Sequence, residues 1–169
     1  MHDAAINFRA LAGTGPDTIT TIAVRQAALS DLDALVSMFD CYRQFYGRPA
    51  DPDGARKFLE ARMKQGESVL FIAHDGEAPI GFTQLYPSFS SVSLARIFIL
   101  NDIYVLEHGR RKRAGSLLVE KAVEYARSMG ALRLTLATAV DNQTAQALYQ
   151  SAGWKRDTQF QYYHFAITQ

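Results

Sequence analysis

An apolar stretch that runs almost directly into four consecutive basic residues constrains this chain more than any other feature. Residues 94–106 are mostly apolar on both faces, which predicts a central strand, and the basic run at residues 110–113 follows after a short turn. Helical spacing then begins at Ala114 and continues to Met129. The first N–H groups of a helix lack intrahelical partners and carry partial positive charge. The junction therefore predicts a binding site for a phosphate or pyrophosphate group.

The balance of charge narrows the choice of ligand. The chain has 18 lysine and arginine residues against 17 aspartate and glutamate residues, which gives a net charge of +1 at pH 7. The basic run is therefore a local feature, which favours a small anionic ligand and predicts no nucleic-acid or membrane partner. The single cysteine, Cys41, excludes an internal disulfide and a cysteine-rich zinc site. Because no apolar run reaches about 18 residues and no secretory signal is recognisable, we expect a cytoplasmic protein.

The rest of the hydrophobic pattern alternates between strands and helices. Residues 1–18 lack periodicity and are predicted to form an N-terminal arm, and residues 19–169 a single domain. The unit over residues 94–138 contains a strand, a helix and a strand, so its two strands should be parallel. Short turns join most other strands, so the predicted fold is α/β, with a mixed, mostly antiparallel twisted sheet of six to seven strands and about four helices. The predicted strands cover residues 19–27, 68–74, 79–86, 94–106, 132–138, 154–156 and 160–167, with a serine-rich loop at 87–91.

Two short motifs carry more specific information. Residues 110–115 fit the pattern Arg/Gln-x-x-Gly-x-Gly/Ala between a strand and a helix, except that Arg113 stands in place of the first glycine. Residues 142–154 begin with asparagine and end in Ala-x-x-x-Tyr-x-x-x-Gly-Trp. Both patterns are similar to signatures of the GCN5-related N-acetyltransferase (GNAT) superfamily, in which phenylalanine usually stands at the last position. The chain resembles this superfamily over about residues 19–168.

The resemblance implies a cosubstrate and a place for it. It implies that the central parallel strand pair splays around acetyl-CoA, with the pyrophosphate on the N–H groups of residues 111–116 and the pantetheine arm along residues 103–105. Residues 45–47 and 100–105 are further similar to the HPA2-like and diamine acetyltransferase branches. The residues implied to bind the coenzyme are Ile103, Tyr104, Val105, Arg110, Arg111, Lys112, Arg113, Ala114, Gly115, Ser116, Asn142, Ala145 and Tyr149.

The resemblance also implies direct transfer of an acetyl group to a primary amine. Tyr149 aligns with the tyrosine that serves the family as an acid, although a tyrosine on an amphipathic helix can equally be a core residue. Asp102 is a base or a structural carboxylate, and the backbone N–H of Tyr104 or Val105 is the implied oxyanion donor. The predicted catalytic residues are Tyr149, Asp102 and Tyr104, and the predicted substrate-binding residues are Asn101 and two tyrosines whose spacing also fits a packing stripe, Tyr42 and Tyr46.

The sequence constrains the acceptor and the assembly less closely. A small-molecule amine is favoured because no dense acidic run suits a lysine-rich tail, but a protein or peptide lysine or N-terminal amine stays open. A non-catalytic acyl-CoA-binding module is a third reading, whereas a P-loop nucleotide binder is excluded because Gly-x-x-x-x-Gly-Lys-Ser/Thr is absent. No histidines stand at metal-ligand spacing, so we predict no bound metal. The aromatic segment at residues 160–167 is the predicted interface of a homodimer or a tetramer.

Overall fold

The computed structural model describes residues 22–167, so the predicted N-terminal arm at residues 1–18 lies outside the described residues. The assignment of residues 19–169 to one domain stays a prediction. Within the described range no helix is long and apolar enough to cross a membrane. Five strands and four α-helices are formed there: β1 Ile22–Gln26, α1 Leu32–Phe45, α2 Pro52–Lys64, β2 Val69–Asp75, β3 Ala78–Ser90, β4 Ala95–Val105, α3 Ala114–Ser128, β5 Arg133–Thr135 and α4 Gln143–Ser151.

The strands form one mixed sheet in the order β1-β2-β3-β4-β5. The first three neighbouring pairs are antiparallel, whereas β4 and β5 are parallel. Helix α3 makes the crossover between those two strands, as the predicted strand-helix-strand unit requires. The mixed α/β class and the mostly antiparallel sheet are therefore confirmed.

The strand count differs from the predicted six to seven at the C-terminal end of the chain. Residues 154–156 and 160–167 form no strand, and the sheet of the described residues has five. A strand exists only where a neighbour supplies ladder partners, and the outermost strand, β5, is three residues long. The prediction of a loop at residues 87–91 is also wrong, since most of this segment is strand. β4 supplies ladder partners there, so β3 continues to Ser90.

Two apolar clusters fix the helices on opposite faces of the sheet. On one face, Leu35 of α1 and Leu59 of α2 belong to a cluster with Phe82 of β3. On the other face, Leu118 of α3 belongs to a cluster with Phe98 of β4. These five side chains are at most 1% exposed. Burial of such a side chain contributes about 1.5–3 kcal/mol, so the clusters hold the helices in place.

Polar residues fix where the first two helices begin. The Asp51 carboxylate accepts the N–H of Gly54 at 2.9 Å, and Pro52 occupies the first helical position of α2. Before α1, the Asp31 carboxylate accepts the N–H of Ala28 at 2.8 Å. The first contact satisfies an N–H group that α2 itself leaves free, and the second caps the 3₁₀ turn Leu29–Asp31 through which the chain enters α1.

An extra residue interrupts the ladder between β3 and β4. Gln84 pairs with Asp102, but the next residue, Leu85, pairs with Leu100. Asn101 is therefore bulged, with two residues of β4 opposite one of β3. A bulge of this kind breaks the regular alternation of side chains between the two faces of a sheet.

The bulge turns Asp102 and Tyr104 towards α1. Leu100, before the bulge, belongs to the cluster under α3, and without an extra residue Asp102 and Tyr104 would face the same way. Instead Ile103 and Val105 pack on the α3 side, and Tyr104 packs on the cluster under α1 and α2. After Asn101, the face of β4 towards α1 therefore carries polar and aromatic side chains, and the face towards α3 carries aliphatic ones.

Candidate active site

The parallel strands β4 and β5 separate soon after they meet. Their pairing covers three residue pairs, from Ile97 with Arg133 to Ile99 with Thr135. β4 then continues to Val105, and no strand of the described residues pairs with that side of it. The strand pair is therefore splayed, and a gap opens along the second half of β4.

Backbone groups of β4 alternate between β3 and this gap. The N–H of Leu106 donates to the carbonyl of Ile80 on β3 at 2.9 Å. Because backbone groups of successive residues point to opposite sides of a strand, Tyr104 also faces β3, and Ile103 and Val105 face the gap. Of the two N–H groups implied as oxyanion donors, the structure leaves that of Val105 available and turns that of Tyr104 away.

The loop ahead of α3 presents a run of free backbone donors. None of the N–H groups of residues 111–116 donates to an acceptor among residues 22–167, and α3 begins with the N–H of Leu117, which donates to Arg113 at 3.0 Å. Arg111 and Arg113 have φ angles of 60° and 67°, and left-handed residues of this kind direct successive N–H groups towards one point. We call these six donors the N–H cradle. Together with the dipole of α3, they fit a pyrophosphate group.

Two of the four basic side chains fasten the loop to the sheet. Arg110 Nε donates to the backbone oxygen of Val105 at 3.1 Å. Lys112 Nζ donates to Asp75 Oδ2 at 2.9 Å, at the end of β2. Arg111 and Arg113 are exposed and form no ion pair with another described residue. Two of the predicted coenzyme ligands thus position the loop, and two have side chains available for an anion.

We expect Arg113→Gly to raise the stability of the protein. A non-glycine residue in the left-handed region costs about 1 kcal/mol, which glycine avoids, so the free energy of unfolding should rise by about 0.5–1 kcal/mol. Arg113→Gln is the matched control, because it removes the charge but keeps the Cβ atom. Denaturant unfolding in which the glycine variant is no more stable than the glutamine variant would contradict a strained backbone at this position.

Helix α4 is anchored at its start and packed against the start of α3. The side-chain oxygen of Asn142 accepts the N–H of Ala145 at 3.1 Å, so Asn142 is the N-cap of α4. Its predicted contact with the coenzyme stays a prediction, as does that of Ala145. A Cβ atom at Gly115 would lie 3.4 Å from the Leu148 side chain, an ordinary van der Waals distance, so α4 lies directly beside the start of α3. Tyr149 follows directly on α4.

Tyr149 is a buried side chain beside a cleft. It is 7% exposed, and its ring lies 5.9 Å from that of Trp154. It lines a cleft of about 510 Å³ between β5, α4 and the segment after α4. Burial, with a smaller effect from Tyr46, raises the pKa of Tyr149 to about 12. The hydroxyl therefore keeps its proton at neutral pH, as a hydrogen-bond donor to a leaving group must.

Asp102 is a carboxylate enclosed on the α1 side of β4. It is 5% exposed, and it accepts a hydrogen bond from Asn101 Nδ2 at 3.1 Å. Burial raises the pKa of Asp102, while Asn101 and the neighbouring Tyr42 hydroxyl act in the opposite direction. Burial and then the Asp102 carboxylate raise the pKa of Tyr42 in turn. A carboxylate with a raised pKa accepts a proton more readily, which suits a general base.

Four aromatic rings in contact with one another begin at Tyr42, the neighbour of Asp102, and we call them the aromatic cluster. They are Tyr42, Phe45 and Tyr46 of α1 and Tyr104 of β4. The ring centroid of Tyr42 lies 5.1 Å from that of Tyr46 and 6.2 Å from that of Tyr104. Phe45 lies 5.2 Å from Tyr46 and 6.5 Å from Tyr104. Phe45 and Tyr46 are 60% and 53% exposed, so core packing does not account for them.

Sequence reasoning missed two aromatic residues near this site. Phe45 stands three residues after Tyr42, so helical spacing could have found it. Tyr86 lies close enough to Asp102 that the carboxylate, after burial, helps raise the pKa of Tyr86 to about 12. Its position depends on the pairing of β3 with β4 and hence on the bulge at Asn101, for which the sequence carries no signal.

Comparison with known proteins gives one consistent result. The model of the Acetyltransferase (GNAT) family matches residues 35–154. The uncharacterized N-acetyltransferase YhfO of Bacillus subtilis is 48% identical over 140 residues, which cover 83% of this chain and 94% of that protein. The D-amino-acid N-acetyltransferase HPA3 of Saccharomyces cerevisiae is 26% identical over 140 residues, or 80% and 86% of the two chains. The crystal structure of a probable acetyltransferase, 44% identical, has a TM-score of 0.82 and covers 87% of this chain and 99% of its own.

Proposed function

Because this chain belongs to the acetyltransferase (GNAT) family, we propose that it moves the acetyl group of acetyl-CoA to the primary amine of a small molecule. Acetyltransferase activity and acetyl-CoA as cosubstrate are properties of the family. The further parts of the proposal are the residues that bind the donor, the residues that move protons and the chemical nature of the acceptor.

The N–H cradle carries this proposal. It lies at the start of α3, next to the gap that opens between β4 and β5. A pyrophosphate in the cradle would leave the rest of the coenzyme free to follow β4, where the N–H and carbonyl of Ile103 can bond its amides as an added strand would. Arg111 and Arg113 would add charge-assisted hydrogen bonds to the phosphates.

Asp102 and Tyr149 divide the proton transfers of the proposed reaction. An ammonium group has no lone pair, so Asp102 first takes a proton from the acceptor nitrogen. The nitrogen then bonds to the acetyl carbon, the carbon–sulfur bond breaks, and the N–H of Val105 stabilises the oxygen in between. The Tyr149 hydroxyl gives its proton to the departing sulfur and regains one from the nitrogen, so the second nitrogen proton ends on the thiol. One proton reaches solvent for each acetyl group transferred.

A thiol-release assay tests the proposed activity. The protein is mixed with acetyl-CoA and a panel of primary amines, a lysine-containing peptide and a peptide with a free N-terminus. We expect free thiol to appear with at least one small amine, and only when the amine is present. Turnover with the peptides alone would favour protein acetylation. Calorimetric binding of acetyl-CoA without thiol release from any acceptor, even at high pH, would identify a binding module and refute the proposal.

We also propose that two copies of the chain pair through residues 160–167. The apolar side chains of this segment are unusually exposed, from 71% for Phe160 to 89% for Phe165. β5 is the last strand of the described sheet, so the edge of β5 away from β4 has no ladder partner among the described residues. An extended segment from a second copy would supply β5 with the ladder partner that it lacks and cover those rings.

Sedimentation of the purified protein tests the pairing. We expect a dimer at micromolar concentration, and a monomer when Tyr163 and Phe165 are both replaced by serine. Replacing the exposed Val92, which lies outside the segment, should leave the dimer intact. A wild-type chain that sediments as a monomer would show that residues 160–167 do not join two copies of the chain.

A further inference from the structure

The aromatic cluster has a property that acetyl transfer does not require. Any side chains that leave room for an amine would serve the reaction, yet four rings in mutual contact extend from Tyr42, the neighbour of Asp102. Two of them, Phe45 and Tyr46, are more than half exposed. Exposed rings beside a buried carboxylate are typical of a surface that binds a cation on an apolar body, because the ring faces attract positive charge.

The charge around the cluster is one-sided. Burial, one another, Tyr46 and Asn101 shift the pKa values of Asp102, Tyr42 and Tyr149, and no arginine, lysine or histidine is among the causes. Beside them, Tyr86 has its pKa raised by Asp102 and lowered by Arg62. Basic residues nearby on the two helices have their own partners. Arg43 of α1 is held by Asp40 at 3.2 Å, and Arg62 of α2 by Glu67.

An acceptor with a carboxylate next to its amine would fit poorly between Asp102 and the aromatic cluster. When its nitrogen contacts Asp102, a neighbouring carboxylate would lie a few ångströms from a second negative charge in a partly desolvated site, where Arg43 and Arg62 already have carboxylate partners. The same site favours a plain ammonium, which pairs with Asp102 while its carbon body packs against the rings.

We propose that the acceptor is a primary amine on an aromatic or alkyl body, with no carboxylate beside the amino group. The inference rests on the proposed acetyl transfer and assigns its substrate class. Asp102 selects the amine, and the aromatic cluster selects the body that carries it.

Matched pairs of amines test whether the site rejects a carboxylate beside the amino group. Phenethylamine is compared with L- and D-phenylalanine, and pentylamine with norleucine, by kcat/KM in the thiol-release assay. We expect each plain amine to exceed its amino acid by on the order of 100-fold, as an uncompensated like charge would require. Amino acids that react as well as the plain amines would overturn the substrate class but leave the acetyltransferase intact. No reaction with any amine would instead overturn the proposed function.

Variants of the aromatic cluster test whether its rings select the carbon body of the amine. Tyr46→Leu and Phe45→Leu should each lower the preference for phenethylamine over ethylamine by about 5- to 10-fold, mainly through KM for phenethylamine. Phe89→Leu is the matched control, because Phe89 is an exposed ring that stacks on Arg96 at the far end of β3. Since all three positions are exposed, thermal unfolding should change little. An unchanged preference in both cluster variants, with the fold intact, would show that the rings do not contact the acceptor.

Discussion

Replacing Tyr149 by phenylalanine lowers kcat for amine acetylation by about 100-fold and leaves the affinity for acetyl-CoA nearly unchanged. The substitution removes one hydroxyl that, with its pKa raised to about 12, remains a donor at neutral pH. Loss of one donor to a charge that develops only during the reaction typically costs about 100-fold or more in kcat, or close to 3 kcal/mol. Steady-state kinetics with saturating amine, together with calorimetric titration of acetyl-CoA, measures the two quantities separately.

Tyr125→Phe is the matched control for that experiment. Tyr125 lies on α3, where its ring packs 5.5 Å from both Phe71 and Phe98 on the opposite side of the sheet from the aromatic cluster. We expect this variant to keep its turnover. If Tyr149→Phe also keeps wild-type turnover, Tyr149 is a core residue and the sulfur receives its proton from another source.

Replacing Asp102 by asparagine is expected to reduce turnover at neutral pH by about 100-fold, the usual contribution of a general base. The amide keeps the size of the side chain and can still accept the hydrogen bond of Asn101, so the shape of the site is conserved. Wild-type kcat/KM should fall on the acid side as Asp102 is protonated, at a higher pH than for an exposed aspartate, because burial raises the pKa of Asp102. The variant should lack this acid limb. An identical pH profile in both proteins would remove Asp102 as the base.

The same substitution should stabilise the fold at neutral pH. A folded-state pKa above the unfolded value means that the folded protein binds the proton more tightly, so the contribution of Asp102 to stability is greatest at low pH and falls as the pH rises through the folded pKa. At pH 7 the wild type carries the cost of a buried charge, whereas Asp102→Asn does not. Thermal unfolding at pH 7 should therefore occur at a higher temperature in the variant. The difference should shrink near pH 3, below the ordinary aspartate pKa of about 3.9, where both states of the wild type are protonated.

The junction of β4, the loop and α3 could be predicted from the sequence because its signals are local. The apolar stretch, the basic run and the helical spacing from Ala114 each specify their own structure, and β4 and α3 lie close to the expected bounds. The free N–H groups at residues 111–116 also follow from the start of a helix. The left-handed angle of Arg113 could not be predicted, since an arginine at that position is compatible with either sign of φ until the loop is seen.

The C-terminal strands could not be predicted reliably for a different reason. Aromatic and β-branched residues at 160–167 indicate a preference for extended backbone, but a preference does not supply a neighbouring strand. With β5 ending at Thr135, residues 22–167 offer no long partner for the segment, and its rings stay exposed. Whether a second copy provides the partner depends on contacts between molecules, which hydrophobic periodicity does not encode.

The orientation of Asp102 was the part of the site most hidden from sequence reasoning. Regular alternation would place Asp102 on the same face as Leu100, under α3. The bulge at Asn101 reverses this, and it arises from the pairing of β4 with β3 rather than from the residues of β4 alone. The proximity of Asp102 to Tyr42 and Tyr86, and with it the choice of base and acceptor class, therefore required the structure.

The central claim is direct transfer of an acetyl group from acetyl-CoA to an amine bound beside Asp102. It is tested most directly by following acetyl-CoA labelled with carbon-13 in its acetyl group, with phenethylamine as the acceptor. We expect the label to appear as the N-acetyl amide in the same amount as free coenzyme A, and none to become attached to the protein when the amine is left out. Label that accumulates on the protein, or that appears only as free acetate, would contradict it.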